Sequence, residues 1–337
     1  MDKKYMPVII SLILSLISIT IIFLFTFDKS SFDKLSQIQI NWLMIAILLH
    51  ILSWVVWGLR ISVMSGYVDR RYRVNLREGT SIALSNLFLA AITPSMAGGE
   101  PVRIRILSKK GMGTGKSTAL VLGERVFDGF FILALIPISL YIFSTYIKSE
   151  NIRICLTVGL TLFIAGMVFF VYSILRPQSL KRILKKLAKN IRIKEVEKIF
   201  HMIDEFIEGF QKGIREIFKM KNKTGIIIVF LLTAVYWFLE FLIPSCILKG
   251  LNQNPIILQS ISAQILLVLL VTLPLTPGAS GIAEGGAALL YSAIIPDRST
   301  LGLLILTWRF ITYYMNIFVG GLFQYKFFKS FFPKEKK

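Results

Sequence analysis

Two stretches decide how this chain is read: Thr93-Pro94-Ser95-Met96-Ala97-Gly98-Gly99-Glu100 and Thr276-Pro277-Gly278-Ala279-Ser280-Gly281-Ile282-Ala283-Glu284. Each interrupts an apolar run with a Thr-Pro break, where proline ends or kinks a helix, and then supplies glycine and glutamate. In each case an arginine inside a following apolar helix stands 25 residues after the glutamate, Arg125 after Glu100 and Arg309 after Glu284. The pattern reads as an internal repeat. Ser81–Thr93 and Ile282–Ile295 are too short for the roughly 20 helical residues that cross about 30 Å of hydrocarbon. Each therefore pairs with its neighbour across the break as a hairpin that enters and leaves on one side.

The rest of the sequence supplies the membrane. Of 337 residues, 55% are hydrophobic and 17% charged, with a mean hydropathy of +0.68. The apolar residues fall in blocks, at 6–27, 42–64, 81–93, 118–146, 152–175, 225–248, 256–276, 282–295 and 300–325. This excludes a soluble enzyme, a disordered chain and a disulfide scaffold. Cys155 and Cys246 both lie inside apolar blocks. Met6–Phe27 is too long for a signal-peptide core and lacks a small-residue cleavage site, so it reads as a retained first span.

Charge sets the topology. The net charge is +20, and the excess lies between the blocks: 14 basic and 6 acidic residues over Arg176–Lys223, and 5 against 1 over Lys326–Lys337. In a membrane protein such an excess marks cytoplasmic loops rather than a nucleic-acid surface, and no nucleic acid partner is expected. With six spans and two re-entrant hairpins, at about 79–109 and 256–296, the cytoplasmic segments hold 30 basic residues and the outer loops six. Letting either hairpin cross puts basic segments outside. Three crossings separate the hairpins, so the two units are inverted. Broken apolar segments in matching places of inverted halves point to a transporter's substrate site.

The expected fold is thus an all-α integral membrane protein with six transmembrane helices plus two re-entrant helical hairpins in an inverted repeat. A single membrane domain fills 1–337. Its first half covers about 42–175, a basic amphipathic linker 176–223, the second half about 225–325 and a basic tail 326–337. Both termini are expected in the cytoplasm and the protein in the cell membrane.

Ionisable residues in hydrocarbon cost about 3 kcal/mol or more unless paired or wet, so each is a candidate for function. These are Glu100, Glu124, Arg125, Asp128, Glu240, Glu284 and Arg309; Arg60, Arg125 and Arg309, inside helices, stay out of the loop count. Glu124 and Asp128 share a helix face. Five acids cannot all pair with two arginines, which argues for a lined cavity. Gly98, Gly99, Gly281, Gly285 and Gly286 stand where a half-helix begins, and Pro94 and Pro277 mark the breaks. Arg125 and Arg309 are assigned to phosphate, and Glu100 and Glu284 to a cationic group or a coupling proton. No metal or other cofactor is expected, since His50 and His201 are far apart and the cysteines lack ligand spacing. Gly111-Met112-Gly113-Thr114-Gly115-Lys116-Ser117 imitates a P-loop, but Lys110 stands where the motif needs glycine.

Three motifs in order, Asn86-x6-Thr93-Pro94-x3-Gly98-Gly99-Glu100-x2-Arg103, Glu124-Arg125-x2-Asp128 and Pro277-Gly278-x2-Gly281-x2-Glu284, resemble the lysylphosphatidylglycerol synthase transmembrane-region family. The resemblance covers nearly the whole chain and departs from the family pattern near Met96 and at Ala279 and Ala283. It implies a flippase-like fold with two re-entrant hairpins, and it does not imply lipid aminoacylation. The expected function is translocation of a phospholipid or polyprenyl-linked head group between leaflets, without enzymatic turnover. Membrane lipids, anionic or lipid-linked, are the expected partners, and a homo-oligomer is left open. The alternatives are an integral membrane enzyme acting on a lipid phosphate and a non-transporting structural membrane protein.

Overall fold

A computed structural model describes residues 17, 20, 23, 24, 26, 28–93, 98–146, 150–176, 196–219, 223–271 and 279–331. Pro94, Pro277, most of the first span, the linker over 177–195 and the last six residues lie outside the described residues. Among the described residues every regular element is helical. Five helices are long and apolar enough to cross a membrane: Ile40–Val68, Thr114–Phe143, Leu156–Leu175, Lys223–Gly250 and Arg298–Gln324. They coincide with five of the six expected spans.

The first helix with both ends among the described residues is the short α1, Lys29–Ser36, whose N-terminus Asp28 and Ser31 close with a reciprocal capping box. Helix α2 is Ile40–Val68. Helix α3, Leu76–Ile92, starts on a second capping box in which the Asn75 side chain accepts from the Glu78 amide at 2.9 Å. Helix α4, Gly99–Leu107, follows. Helices α5, Thr114–Phe143, and α6, Glu150–Leu175, complete the first half. Helix α7 is Val196–Phe218. The second half holds α8, Lys223–Gly250, α9, Ile257–Val271, and α10, Ile282–Ser292. Helix α11, Arg298–Arg309, then runs through a π-helical turn, Phe310–Tyr314, into α12, Met315–Phe331.

Helices α2 and α8, each preceding a helix pair in its own half, pack on each other. The leading helix of each pair packs on the long helix of the opposite half, α3 on α12 and α9 on α5. Glycine permits the closest crossings. A Cβ on Gly79 would meet the Gly58 carbonyl, and one on Gly320 would meet the Phe88 amide.

Connections gather at two ends. At one end Gln39 donates its amide to Gly250 at 2.8 Å, Ser31 and Ser299 share a hydroxyl hydrogen bond at 2.9 Å, and Lys34 pairs with Asp297. At the other end Glu78 pairs with Lys110, Asp69 pairs with Lys116, and Ser108 meets Thr114 at 3.0 Å. The α3–α4 pair thus starts and finishes at the second end, and α9–α10 starts and finishes at the first. By length, at 1.5 Å per residue, the 9 residues of α4 and 11 of α10 reach only about 14 and 17 Å.

Helix α7 lies in the linker that the sequence reads as basic amphipathic helices on the inner membrane surface. Its apolar residues Ile207, Phe210, Ile214 and Ile217 are buried in the protein. Gly209 and Gly213 let it lie against Gly115, Lys116 and Ala119 of α5. The apolar stripe therefore serves helix packing, which hydrophobic periodicity alone does not distinguish from a membrane-facing stripe.

Candidate functional site

The site begins where the first helix pair turns. Thr93 donates its hydroxyl to the Leu89 carbonyl at 2.7 Å and accepts the Gly98 amide at 2.8 Å, which closes the chain into α4. A side chain on Gly98 would strike Thr93, and one on Gly99 would strike Asn86. These glycines, which the sequence places where a half-helix begins, make close contacts within their own helix pair. Glu100 then enters the first turn of α4, and Arg103 lies one turn further on.

Glu100 meets Arg125 of α5 through Nε at 2.9 Å and Nη2 at 2.7 Å. Arg125 also reaches Asp128 at 3.3 Å. On the far side, Arg60 of α2 donates from Nε to Glu124 at 3.0 Å and from Nη1 to Asp128 at 2.6 Å and to the Thr233 hydroxyl at 3.0 Å. Arg103 pairs with the other Glu124 oxygen and stacks its guanidinium 5.0 Å over Trp57. Indole N–H groups add two more bonds, Trp57 to Glu124 at 3.2 Å and Trp237 to Asp128 at 3.1 Å. Three carboxylates and three guanidiniums from three helices therefore form a net-neutral network, to which α8 adds Thr233 and Trp237. Such balance is what low dielectric demands of buried charge, since an unpaired ion there costs several kcal/mol.

The second helix pair repeats the first contact. Arg309 Nε donates to Glu284 Oε1 at 2.8 Å. The other Glu284 oxygen accepts the Gly281 amide at 2.6 Å, and Gly281 takes a φ of +87°, a conformation that favours glycine. The Arg309 guanidinium lies 4.1 Å over the Tyr313 ring. Tyr313 in turn donates its hydroxyl to the Ala91 carbonyl at 3.3 Å and accepts from Ser280 at 3.3 Å, so it touches the ends of both helix pairs. The two Glu–Arg pairs differ in exposure. The Arg125 side chain is 36% exposed and that of Arg309 3%.

Glu240 stands apart from both. It meets His50 Nδ1 at 2.8 Å and the Ser53 hydroxyl, while His50 Nε2 meets Asn316 Oδ1 at 3.1 Å.

Pairing corrects one expectation. Every one of the five acids has a cationic or histidine partner, because Arg60, Arg103 and His50 supply what Arg125 and Arg309 do not. The charge pattern places Arg103 in a basic loop, and His50, far from His201, is set aside only as a metal ligand. Arg60, His50 and Asn316 were each legible as polar residues inside apolar runs. Pro94 and Pro277 lie outside the described residues. Among the described residues, no three His, Cys, Asp or Glu side chains converge as metal ligands. A cavity of about 580 Å³ opens elsewhere, at the end holding Asp69 and Lys116, with Arg70, Arg71 and Lys212 on its walls.

Residues 8–320 match the family described as Lysylphosphatidylglycerol synthase TM region. The chain belongs to this family. A UPF0104 membrane protein of Archaeoglobus fulgidus is 34% identical over 336 residues, covering 97% of this chain and 99% of its own. Another UPF0104 membrane protein, from Methanothermobacter thermautotrophicus, is 25% identical and covers 86% of each chain. A third, from Methanocaldococcus jannaschii, is 26% identical over 71% of this chain and 94% of its own. No solved structure matches the chain. Family and apolar helices together make this a multi-pass membrane protein.

Proposed function

We propose that this protein moves a phosphate-bearing lipid head group, of a phospholipid or a polyprenyl-linked lipid, between the leaflets of the cell membrane by alternating access. In this reading α3–α4 and α9–α10 are re-entrant hairpins from opposite faces, related by an inverted repeat, and both termini are cytoplasmic. One observation carries it: Glu100–Arg125 and Glu284–Arg309 share an Nε–Oε1 contact, at 2.9 and 2.8 Å, with one pair half-open and the other shut. Equivalent sites in unequal states are what a two-state carrier built from two like halves presents. The half-open pair is then the loading site. Guanidinium grips phosphate bidentately, so a head group arriving at Arg125 displaces Glu100, which is freed to hold a cationic group or a proton. In the other state Arg309 and Glu284 take those roles.

The closed pairing of every acid favours a second reading, in which these bridges only lock helices together. Native mass spectrometry of the purified protein, reading retained lipid, separates the two. On the transport reading Arg125→Lys and Arg309→Lys lose bound lipid although charge is kept, and the neutral double Glu100→Gln/Arg125→Gln loses it as well. Lipid retained in all three variants, with only thermal stability changed, would leave the locking reading.

A further inference from the structure

The hydrogen-bond inventory around Glu240 requires one more proton than a neutral histidine and an ionised carboxylate supply. Trp54 Nε1–H is a donor only, and it lies 3.2 Å from Asn316. The atom it meets is therefore the amide oxygen, and the Asn316 amide nitrogen accordingly donates to the Thr312 carbonyl at 2.5 Å. The same oxygen faces His50 Nε2 at 3.1 Å, so Nε2 carries a hydrogen. His50 Nδ1 then faces Glu240 Oε1 at 2.8 Å. A neutral imidazole protonated at Nε2 offers a lone pair there, and an ionised carboxylate offers another. Two acceptors at that distance repel. Ser53 has a single hydrogen and also bonds the His50 carbonyl at 2.7 Å, so it cannot relieve the conflict between Nδ1 and Oε1.

We propose that His50 and Glu240 form a proton-binding site that holds one proton between Nδ1 and Oε1, and that its occupancy is tied to the packing of the two halves of the protein. Imidazolium with carboxylate and imidazole with carboxylic acid are the two forms of this one proton, and the count is the same in both. His50 belongs to α2 and Glu240 to α8, whose contact is the seam between the halves, and Asn316 of α12 fixes the ring from the other side. The His50 side chain is 3% exposed and that of Glu240 17%, so protons reach the site from the carboxylate side. From α2 the pair is faced by Ser53 and Trp54, and from α12 by Asn316, none of them charged. On α8 Tyr236 is within electrostatic reach of Glu240. Beyond Tyr236, Arg60, Asp128 and Arg125 belong to the net-neutral network. A shift of α2 against α8 parts the two proton acceptors and releases the proton. Joined to the alternating-access reading, on which this last step rests, it is the proton the carrier exchanges.

The test uses the full chain in lipid nanodiscs with His201→Gln, which leaves His50 as the one histidine of the two in the sequence. Imidazole nitrogen NMR reads its tautomer and charge directly, without any lipid assay, so failure here is distinct from failure of the flippase reading. The expected result is Nε2 protonated at every pH at which the protein is folded. One proton per molecule is lost from the pair as pH rises, with a fall in melting temperature over the same range. In Glu240→Gln the amide N–H donates to Nδ1 without a titrating proton, so that fall disappears. A neutral ring protonated at Nδ1 against an ionised Glu240 would overturn the proposal. So would the same pH profile in the Gln variant and its parent.

Discussion

Glu124 is held on one side by Arg60 and Trp57 and on the other by Arg103, with no exposure to solvent. Glu124→Gln removes the charge that both guanidiniums answer, and Asp128 alone cannot balance Arg60 and Arg103. Breaking a buried pair from one side costs about 3–5 kcal/mol, and the variant should show that loss in thermal unfolding. The double Glu124→Gln/Arg103→Gln should recover a large part, because the uncompensated cation is gone. This pair was half legible in the sequence. The acid declared itself by sitting in an apolar helix, whereas Arg103 sat among basic residues and looked solvated. Only the turn that carries α4 back along α5 brings it inside. Among the described residues the second half has no counterpart of this network. Three residues after each glutamate stand Arg103 in one half and Ala287 in the other, and Trp308 and Thr312 occupy the places of Glu124 and Asp128. One half is therefore built polar and the other apolar around the same Glu–Arg contact.

Helices set the next scale, and their glycines differ in what they do. A Cβ on Gly79 would press on the Gly58 carbonyl where α2 crosses α3, so Gly79→Ala should cost about 1–3 kcal/mol through overpacking. Gly285 is exposed, and a Cβ there would meet nothing within 4 Å. Packing does not require this glycine, and helix propensity favours alanine by roughly 0.5–1 kcal/mol. Gly285→Ala should therefore melt no lower than the parent. If the open face beside Glu284 admits a head group, the same variant should bind less lipid in native mass spectrometry, and unchanged binding would leave Gly285 without a role there. At the end of the bundle, Asp297 ties α11 to α1. Burial pushes its carboxyl up, but hydrogen bonds from Lys34 and Thr300 outweigh this and hold it at about 2, below the ordinary 3.8. A depressed carboxyl stabilises the fold above its ordinary value and loses that contribution as pH falls through the folded one. Acid titration from pH 4 to 2 should thus lower the melting temperature less in Asp297→Asn than in the parent. Helix positions were readable from apolar runs and breaks, because length against bilayer thickness is a strong constraint. The destination of α7's apolar face was not, since lipid and a neighbouring helix satisfy a stripe equally.

Across the whole molecule the two ends divide as the basic charge does. Ser36 and Asn254 lie at the end that holds Lys34, Gln39 and Asn252, and Lys109 and Lys212 at the end that holds Asp69 and Lys116. In a background lacking Cys155 and Cys246, single cysteines at 36 and 254 should react with an impermeant maleimide added outside cells. Cysteines at 109 and 212 should react only after the membrane is opened. Labelling at 109 from outside would mean that α3 and α4 do not return to one face and that the inverted arrangement fails. The 30-to-6 bias in basic residues is what predicts this sidedness, because loop charge is fixed by insertion rather than by packing. The pairing of α2 with α8 and of each leading helix with the opposite half was beyond the sequence, since a repeat predicts likeness of parts and not which parts touch.

The central claim is that two like Glu–Arg pairs carry a head group from one leaflet to the other. Its most direct measurement is movement of an acyl-labelled anionic phospholipid in vesicles containing the purified protein, read by chemical bleaching of the label in the outer leaflet. The account predicts that the inner-leaflet fraction becomes bleachable faster with the wild-type chain than in protein-free vesicles. It also predicts that Glu100→Gln/Glu284→Gln, folded and inserted to the same extent, removes that acceleration. Equal rates with the wild-type chain, with the double variant and without protein would contradict it.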